Sequence, residues 1–132
     1  MRTFIVEDSP VILENLVSAL EELTPARVVG TAADEVNAVN WLIDESNSCD
    51  LVILDIFLKN GSGLGVLKAL TQARVPGKWV VLTNYATPDM REKCCALGAH
   101  QVFDKSNELD EMLNYCKRVA SGSSDTLPAY FS

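Results

Sequence analysis

Four consecutive apolar residues, Leu51-Val-Ile-Leu54, run straight into Asp55 and then into a loop carrying Gly61, Gly63 and Gly65. A short run with no polar side chain fits a strand covered on both faces, as in the parallel sheets of α/β proteins. Its abrupt end in a carboxylate places Asp55 at the carboxyl end of that strand, the edge at which open α/β sheets bind ligands. On its own, Asp55 reads equally well as a turn residue, since aspartate is common in turns. The other strand ends change that balance.

Thr3-Phe-Ile-Val6 is a second β-prone run and ends in the adjacent carboxylates Glu7 and Asp8. Trp79-Val-Val-Leu82 ends in Thr83, the short Val102-Phe103 leads through Asp104 to Lys105, and Val28-Val29-Gly30 reads as a further, shorter strand. Between these runs the apolar residues change to helical spacing. Ile12, Leu16, Leu20 and Leu23 follow the capping pair Ser9-Pro10, and Pro25 stops that helix. Val36, Val39, Leu42 and Ile43 follow Asp34, while Leu64, Leu67 and Leu70 follow the glycine loop. Met90, Cys94 and Leu97 follow Thr87-Pro88 and stop at Gly98, which fits a left-handed helix end. Leu109, Met112, Leu113, Cys116 and Val119 form the last stripe, with Asn107 and Asp110 resembling a capping pair. Five strands alternating with five helices imply a single doubly wound parallel sheet. The domain is expected over residues 1–120, followed by a flexible tail over 121–132 in which Leu127–Phe131 reads as a frayed end rather than a docking motif.

The chain has 132 residues, 48% of them hydrophobic, enough for one domain with a substantial core. A net charge of -7 argues against electrostatic binding to nucleic acid or an anionic membrane, both of which favour a basic surface. No apolar stretch approaches the roughly 20 residues of a membrane span. The first residues lack a signal-peptide pattern, so a cytoplasmic location is expected. Cys49, Cys94, Cys95 and Cys116 show no CxxC pairing and have only His100 to join them, which argues for small core residues rather than a zinc site. His100 reads as a loop residue.

In a parallel sheet the carboxyl ends of all strands lie on one edge, so Glu7, Asp8, Asp55, Thr83 and Lys105 gather there. Two like charges about 4 Å apart repel by roughly 4 kcal/mol at an effective dielectric of about 20. Three carboxylates therefore need a counter-charge, and a hard divalent cation such as Mg²⁺, which favours one or two carboxylates plus water and phosphate oxygens, supplies one. This ordered set, an acidic pair after the first strand, aspartate after the third, threonine after the fourth and lysine after the fifth, resembles the response-regulator receiver domain over Met1 to about Ala120.

The resemblance implies a flavodoxin-like sheet of order 2-1-3-4-5 and a stand-alone signalling domain, similar to a chemotaxis regulator, rather than an enzyme in its own right. Asp55 is similar to the family's phosphoacceptor, taking a phosphoryl group from a sensor histidine kinase or a histidine phosphotransfer protein. Asp8, Asp55 and the backbone carbonyl of Phe57 are implied to hold Mg²⁺, with Glu7 acting directly or through water. Lys105 and the Thr83 hydroxyl are implied to meet phosphoryl oxygens, and the face of the fourth helix, fifth strand and fifth helix to carry the signal.

Several positions depart from the family pattern. The place three before the lysine, often an aromatic switch residue, holds Val102, and the ring is at Phe103. Asn84 stands where a small residue usually follows the threonine, narrowing access to Asp55. Ser106 replaces a cis proline, leaving the isomer of that bond open, and Lys59 replaces a proline that stiffens the loop after Asp55. Phe57 and Tyr85, each two residues beyond a site residue, are placed to cover an acyl phosphate and prolong its life. A phosphorylation-independent pseudo-receiver is disfavoured by the intact acidic cluster. A haloacid-dehalogenase-like phosphatase would need an aspartate where Phe57 stands. A dinucleotide site would need GxGxxG spacing and a second half-domain.

Overall fold

In the computed structural model, residues 1–122 are described, so most of the tail, Leu127–Phe131 included, lies outside the described residues. The elements follow in strict alternation: β1 (Arg2–Val6), α1 (Pro10–Leu23), β2 (Arg27–Ala32), α2 (Glu35–Ile43), β3 (Leu51–Leu54), α3 (Gly63–Ala73), β4 (Lys78–Thr83), α4 (Pro88–Ala96), β5 (Gln101–Asp104) and α5 (Leu109–Ala120). All strand pairs are parallel and the sheet order is β2-β1-β3-β4-β5, as expected.

Successive strand residues point to opposite faces, and this period of two sorts the core into two layers. Phe4, Val6, Val52, Leu54 and Val102 pack on one face with side chains of α2, α3 and α4. Ile5, Ile53, Val80, Leu82 and Phe103 pack on the other with Leu16 and Leu20 of α1 and Met112, Tyr115 and Cys116 of α5. Both faces of the central strands are therefore dry, which is why Leu51–Leu54 is apolar throughout.

The helix starts follow from their caps. The Ser9, Asp34 and Thr87 side chains accept from the amides of Ile12, Asn37 and Met90, at 3.3, 2.8 and 3.1 Å. Gly98 closes α4 with φ +106°.

Some expectations need correction. The β2 strand is not short, reaching Ala32 with six residues, because it pairs along the full length of β1. Leu23, Val36 and Ile43 are exposed, since the buried stripes are narrower than the apolar spacing and centre on Leu16 and Leu20 in α1 and on Ala38 and Leu42 in α2. Of the cysteines, Cys94 and Cys116 are buried but Cys95 is exposed, because adjacent helical residues point about 100° apart. Burial pushes the Cys116 thiol up to about 12 and those of Cys49 and Cys94 to about 11, which keeps them protonated and unreactive. Asn107 does not cap α5; the cap position is Glu108, whose side chain makes no bond to its own helix.

One close approach links fold to site. Gly63, the first residue of α3, donates its amide to the Ile56 carbonyl at 2.9 Å, and a Cβ placed on it overlaps the Asp55 carbonyl oxygen. Gly63→Ala must displace the backbone that carries Asp55. It is expected to cost about 2–4 kcal/mol in urea unfolding, well beyond an ordinary surface substitution.

Candidate functional site

Glu7, Asp55 and Lys105 each sit just beyond a strand end and are held by an extension of the sheet ladder. The Glu7 amide donates to the Ala32 carbonyl (3.0 Å), that of Asp55 to Val6 (3.1 Å) and that of Lys105 to Thr83 (2.8 Å). The backbone under the site therefore has the rigidity of the sheet, while the side chains project past its edge.

Those side chains close on one another. Lys105 Nζ donates to Glu7 Oε1 and to Asp55 Oδ2, both at 2.8 Å. The three side chains are 13%, 4% and 11% exposed, so this is a largely buried charge cluster. Asp55 Oδ1 accepts from the Ile56 and Phe57 amides at 2.7 and 3.4 Å, which fixes one carboxylate oxygen and leaves the other to the lysine. Glu7 Oε2 accepts from the Ser9 amide at 3.1 Å. Burial, the largest single influence on Lys105, lowers its pKa, but the hydrogen bonds and charges of Asp55 and Glu7 together outweigh it and hold the ammonium above its ordinary 10.5. The counter-charge required by Glu7 and Asp55 is thus supplied within the chain, by Lys105, and a cation is not needed for that purpose alone.

A cleft of about 180 Å³ opens above this cluster, with Glu7, Asp8, Asp55, Asn84 and Lys105 in its walls and Phe57 and Tyr85 at its rim. The two rings lie 4.6 Å apart, tilted by 59°, and each is more than half exposed. Thr83 is the expected site residue that the structure holds back. It is wholly buried, does not line the cleft, and its hydroxyl accepts from the Tyr85 amide at 3.3 Å. Val102 and Phe103 also lie away from the cleft, on opposite faces of β5. The cleft's acidic donors are oxygens alone, and no group of three or more His, Cys, Asp or Glu encloses a metal site among the described residues. That set fits a hard cation that keeps several waters, rather than a caged metal.

The departures from the family pattern turn out to be bonded. The Lys59 amide donates to Asp8 Oδ2 at 2.7 Å, a bond that proline cannot make. Ser106 Oγ donates to Asn84 Oδ1 at 3.1 Å, joining the β4–α4 and β5–α5 loops, and no cis peptide occurs among the described residues, so the Lys105–Ser106 bond is trans.

Sequence reasoning missed Glu35, the first residue of α2. Its Oε1 accepts from the Ser62 amide at 2.9 Å, and a Cβ on Gly61 or Gly65 would strike its side chain. The glycine loop thus wraps a carboxylate of this chain, at the helix start where a dinucleotide site would bind phosphate. Arg91 and Glu108 were missed as well, and their ion pair at 2.6 Å was not visible in the sequence because 17 residues separate them.

The response regulator receiver domain model matches residues 3–117. The chain belongs to that family. This receiver domain is 29% identical over 122 residues to the transcriptional regulatory protein YvfU of Bacillus subtilis, covering 92% of this chain and 60% of YvfU. It is 32% identical to a protein-glutamate methylesterase/protein-glutamine glutaminase of Azospirillum brasilense, covering 85% of this chain and 28% of that one. Among solved structures, the response regulatory domain of protein mrkE from Klebsiella pneumoniae superposes with a TM-score of 0.78 at 19% identity, covering 92% of this chain and 97% of that one. A Burkholderia pseudomallei response regulator with a phosphorylated aspartic acid, calcium ion and citrate superposes at 0.75, with 20% identity and coverage of 92% and 69%. The receiver domain spans less than two thirds of the length of both curated relatives. Among the described residues no helix is long and apolar enough to cross a membrane.

The raised pKa of Lys105 has a direct consequence. Its protonated form is favoured in the folded state, so its contribution to stability is complete below about pH 10.5 and is lost as pH rises through the higher folded value. Lys105→Met leaves two buried carboxylates facing each other and is expected to cost about 3 kcal/mol at pH 7, as for other broken buried pairs. In urea unfolding the gap between wild type and variant should hold from pH 7 to pH 10 and close only above that.

Proposed function

We propose that this receiver domain is a phosphoacceptor that takes a phosphoryl group onto Asp55 from a sensor histidine kinase or a histidine phosphotransfer protein. The observation that carries this reading is a carboxylate at a strand end with one oxygen pinned by two backbone amides and the other held only by Lys105 Nζ, at the floor of an acidic cleft. Asp55 Oδ2 is the nucleophile. Its lone pair forms the new O–P bond as the P–N bond to the donor imidazole breaks, and the imidazole leaves with the electron pair of that bond. Lys105 Nζ then exchanges Asp55 Oδ2 for a phosphoryl oxygen, neutralising charge where it accumulates.

Asp8, Asp55 and the Phe57 carbonyl would hold Mg²⁺, with Glu7 acting directly or through water. The ion, when bound, offsets negative charge on the transferring group and on the carboxylate that receives it. Lys59, through its amide, keeps Asp8 turned to the cleft. Phosphorylation adds roughly 1.5 to 2 negative charges and three acceptor oxygens at one sheet edge. The Thr83 hydroxyl leaves the Tyr85 amide to donate to one of them, which draws the β4–α4 loop inward, and the face of α4, β5 and α5 presents the change to a protein partner.

The supporting experiment is phosphoryl uptake from a small-molecule donor such as phosphoramidate with Mg²⁺, followed by intact mass. Wild type is expected to gain one phosphoryl group and Asp55→Asn none. Equal uptake by the two overturns the assignment. The Phe57–Tyr85 pair at the cleft rim hinders water from reaching the acyl phosphate. Phe57→Ala with Tyr85→Ala should shorten its lifetime by roughly tenfold, equivalent to about 1.4 kcal/mol of barrier. An unaltered lifetime removes the shielding role.

A further inference from the structure

We propose that Arg91 is a positioning residue for Lys105 and that its guanidinium, rather than a swinging aromatic ring, ties the site to α4. The proposal rests on the phosphoacceptor reading of Asp55. It starts from the thin apolar anchoring of α4, in which Cys94 alone is buried and Met90 is partly buried against the same core layer. Arg91 reaches three separate elements from that helix. Its Nε donates to the Ala86 carbonyl in the β4–α4 loop at 3.0 Å, Nη1 to the Val102 carbonyl of β5 at 2.7 Å, and Nη2 to Glu108 Oε1 at the start of α5 at 2.6 Å.

Glu108 continues the chain of contacts. The same Oε1 accepts from the Asp104 amide at 2.8 Å, and Asp104 leads directly into Lys105, whose amide is bonded to the Thr83 carbonyl. The Arg91 hydrogen bond is the largest influence holding the Glu108 carboxyl below its ordinary range, followed by the Asp104 amide. The Glu108 side chain makes no cap bond to its own helix, whose first-turn bond from the Met112 amide goes to the Glu108 backbone carbonyl. One guanidinium on α4 therefore bonds to the loop that follows Thr83, to β5 and, through Glu108, to the segment that carries Lys105.

The alternative route is closed by strand alternation. The residue three before Lys105 is Val102, facing the α4 side, while Phe103 faces the other layer with its ring 6.0 Å from Tyr115. No ring of β5 stands between α4 and the cleft. An exposed ion pair alone would carry little. Here the planar fork reaches two backbone carbonyls and a carboxylate at once, which an ammonium cannot do. When Thr83 and Lys105 close on a phosphoryl group, Ala86 and Asp104 move with them, the three acceptors of Arg91 separate, and α4 shifts.

The test uses the full chain, with ¹⁵N amide shifts recorded before and after Mg²⁺ and beryllofluoride, a phosphoryl mimic. Wild type is expected to respond at Asp55–Leu58, at Lys105 and across residues 88–97. In Arg91→Lys, which keeps the charge and loses the fork, the response at Asp55–Leu58 should persist while that of residues 88–97 falls below about a third of its wild-type size. Glu108→Ala, which removes the carboxylate shared by Arg91 and the Asp104 amide, leaves the backbone bond from the Glu108 amide to the Asp104 carbonyl in place and removes no side-chain cap bond, should uncouple the two in the same way. An α4 response of wild-type size in both variants overturns the proposal, as does a loss in which site and helix shrink in proportion. Absence of any response at Asp55–Leu58 in wild type overturns the phosphoacceptor reading itself, and the inference with it.

Discussion

Two buried carboxylates share one ammonium at the edge of this sheet, and much of the local architecture serves that arrangement. Glu7 and Asp55 come from adjacent strands, β1 and β3, while Lys105 arrives from the edge strand β5 and spans β4 to reach them. Such a cluster is costly to desolvate unless its geometry is good and its remaining lone pairs are satisfied. Here the second oxygen of each carboxylate is taken by a backbone amide. The lysine is thus held by two charge-assisted hydrogen bonds at the sheet edge.

The sheet supplies rigidity and the loops supply exchangeable contacts. Glu7, Asp55 and Lys105 have their amides tied to neighbouring strands, so the site's backbone is as stable as the core beneath it. Above it, Asn84 with Ser106, Lys59 with Asp8 and Arg91 with Glu108 join loop to loop and loop to helix through bonds at the surface. Bonds of this kind are individually weak and open locally without unfolding the domain.

The positions where the chain departs from its family pattern are informative for the same reason. Serine and asparagine, read separately, looked like a lost proline and an obstructed entrance, yet they form one hydrogen bond between the loops that flank the cleft. Lysine in place of proline restores an amide donor, and that donor orients Asp8. Gly61 and Gly65, whose spacing does not fit a dinucleotide site, lie against Glu35, while Gly63 lies against the Asp55 carbonyl.

From the residues alone, the strand and helix order, the parallel sheet and the gathering of Glu7, Asp8, Asp55 and Lys105 at one sheet edge were legible, whereas Thr83 is buried and does not reach the cleft. Each depends on local pattern: period-two and helical spacing, caps, and polar residues at the ends of apolar runs. The breadth of each buried stripe was not, because burial depends on which neighbour covers a helix, and Leu23, Val36 and Ile43 are apolar yet exposed. Nor was the pairing of charges. Lys105 with Glu7 spans 98 residues and Arg91 with Glu108 spans 17, distances over which spacing carries no directional information and only the packed chain decides which side chains meet.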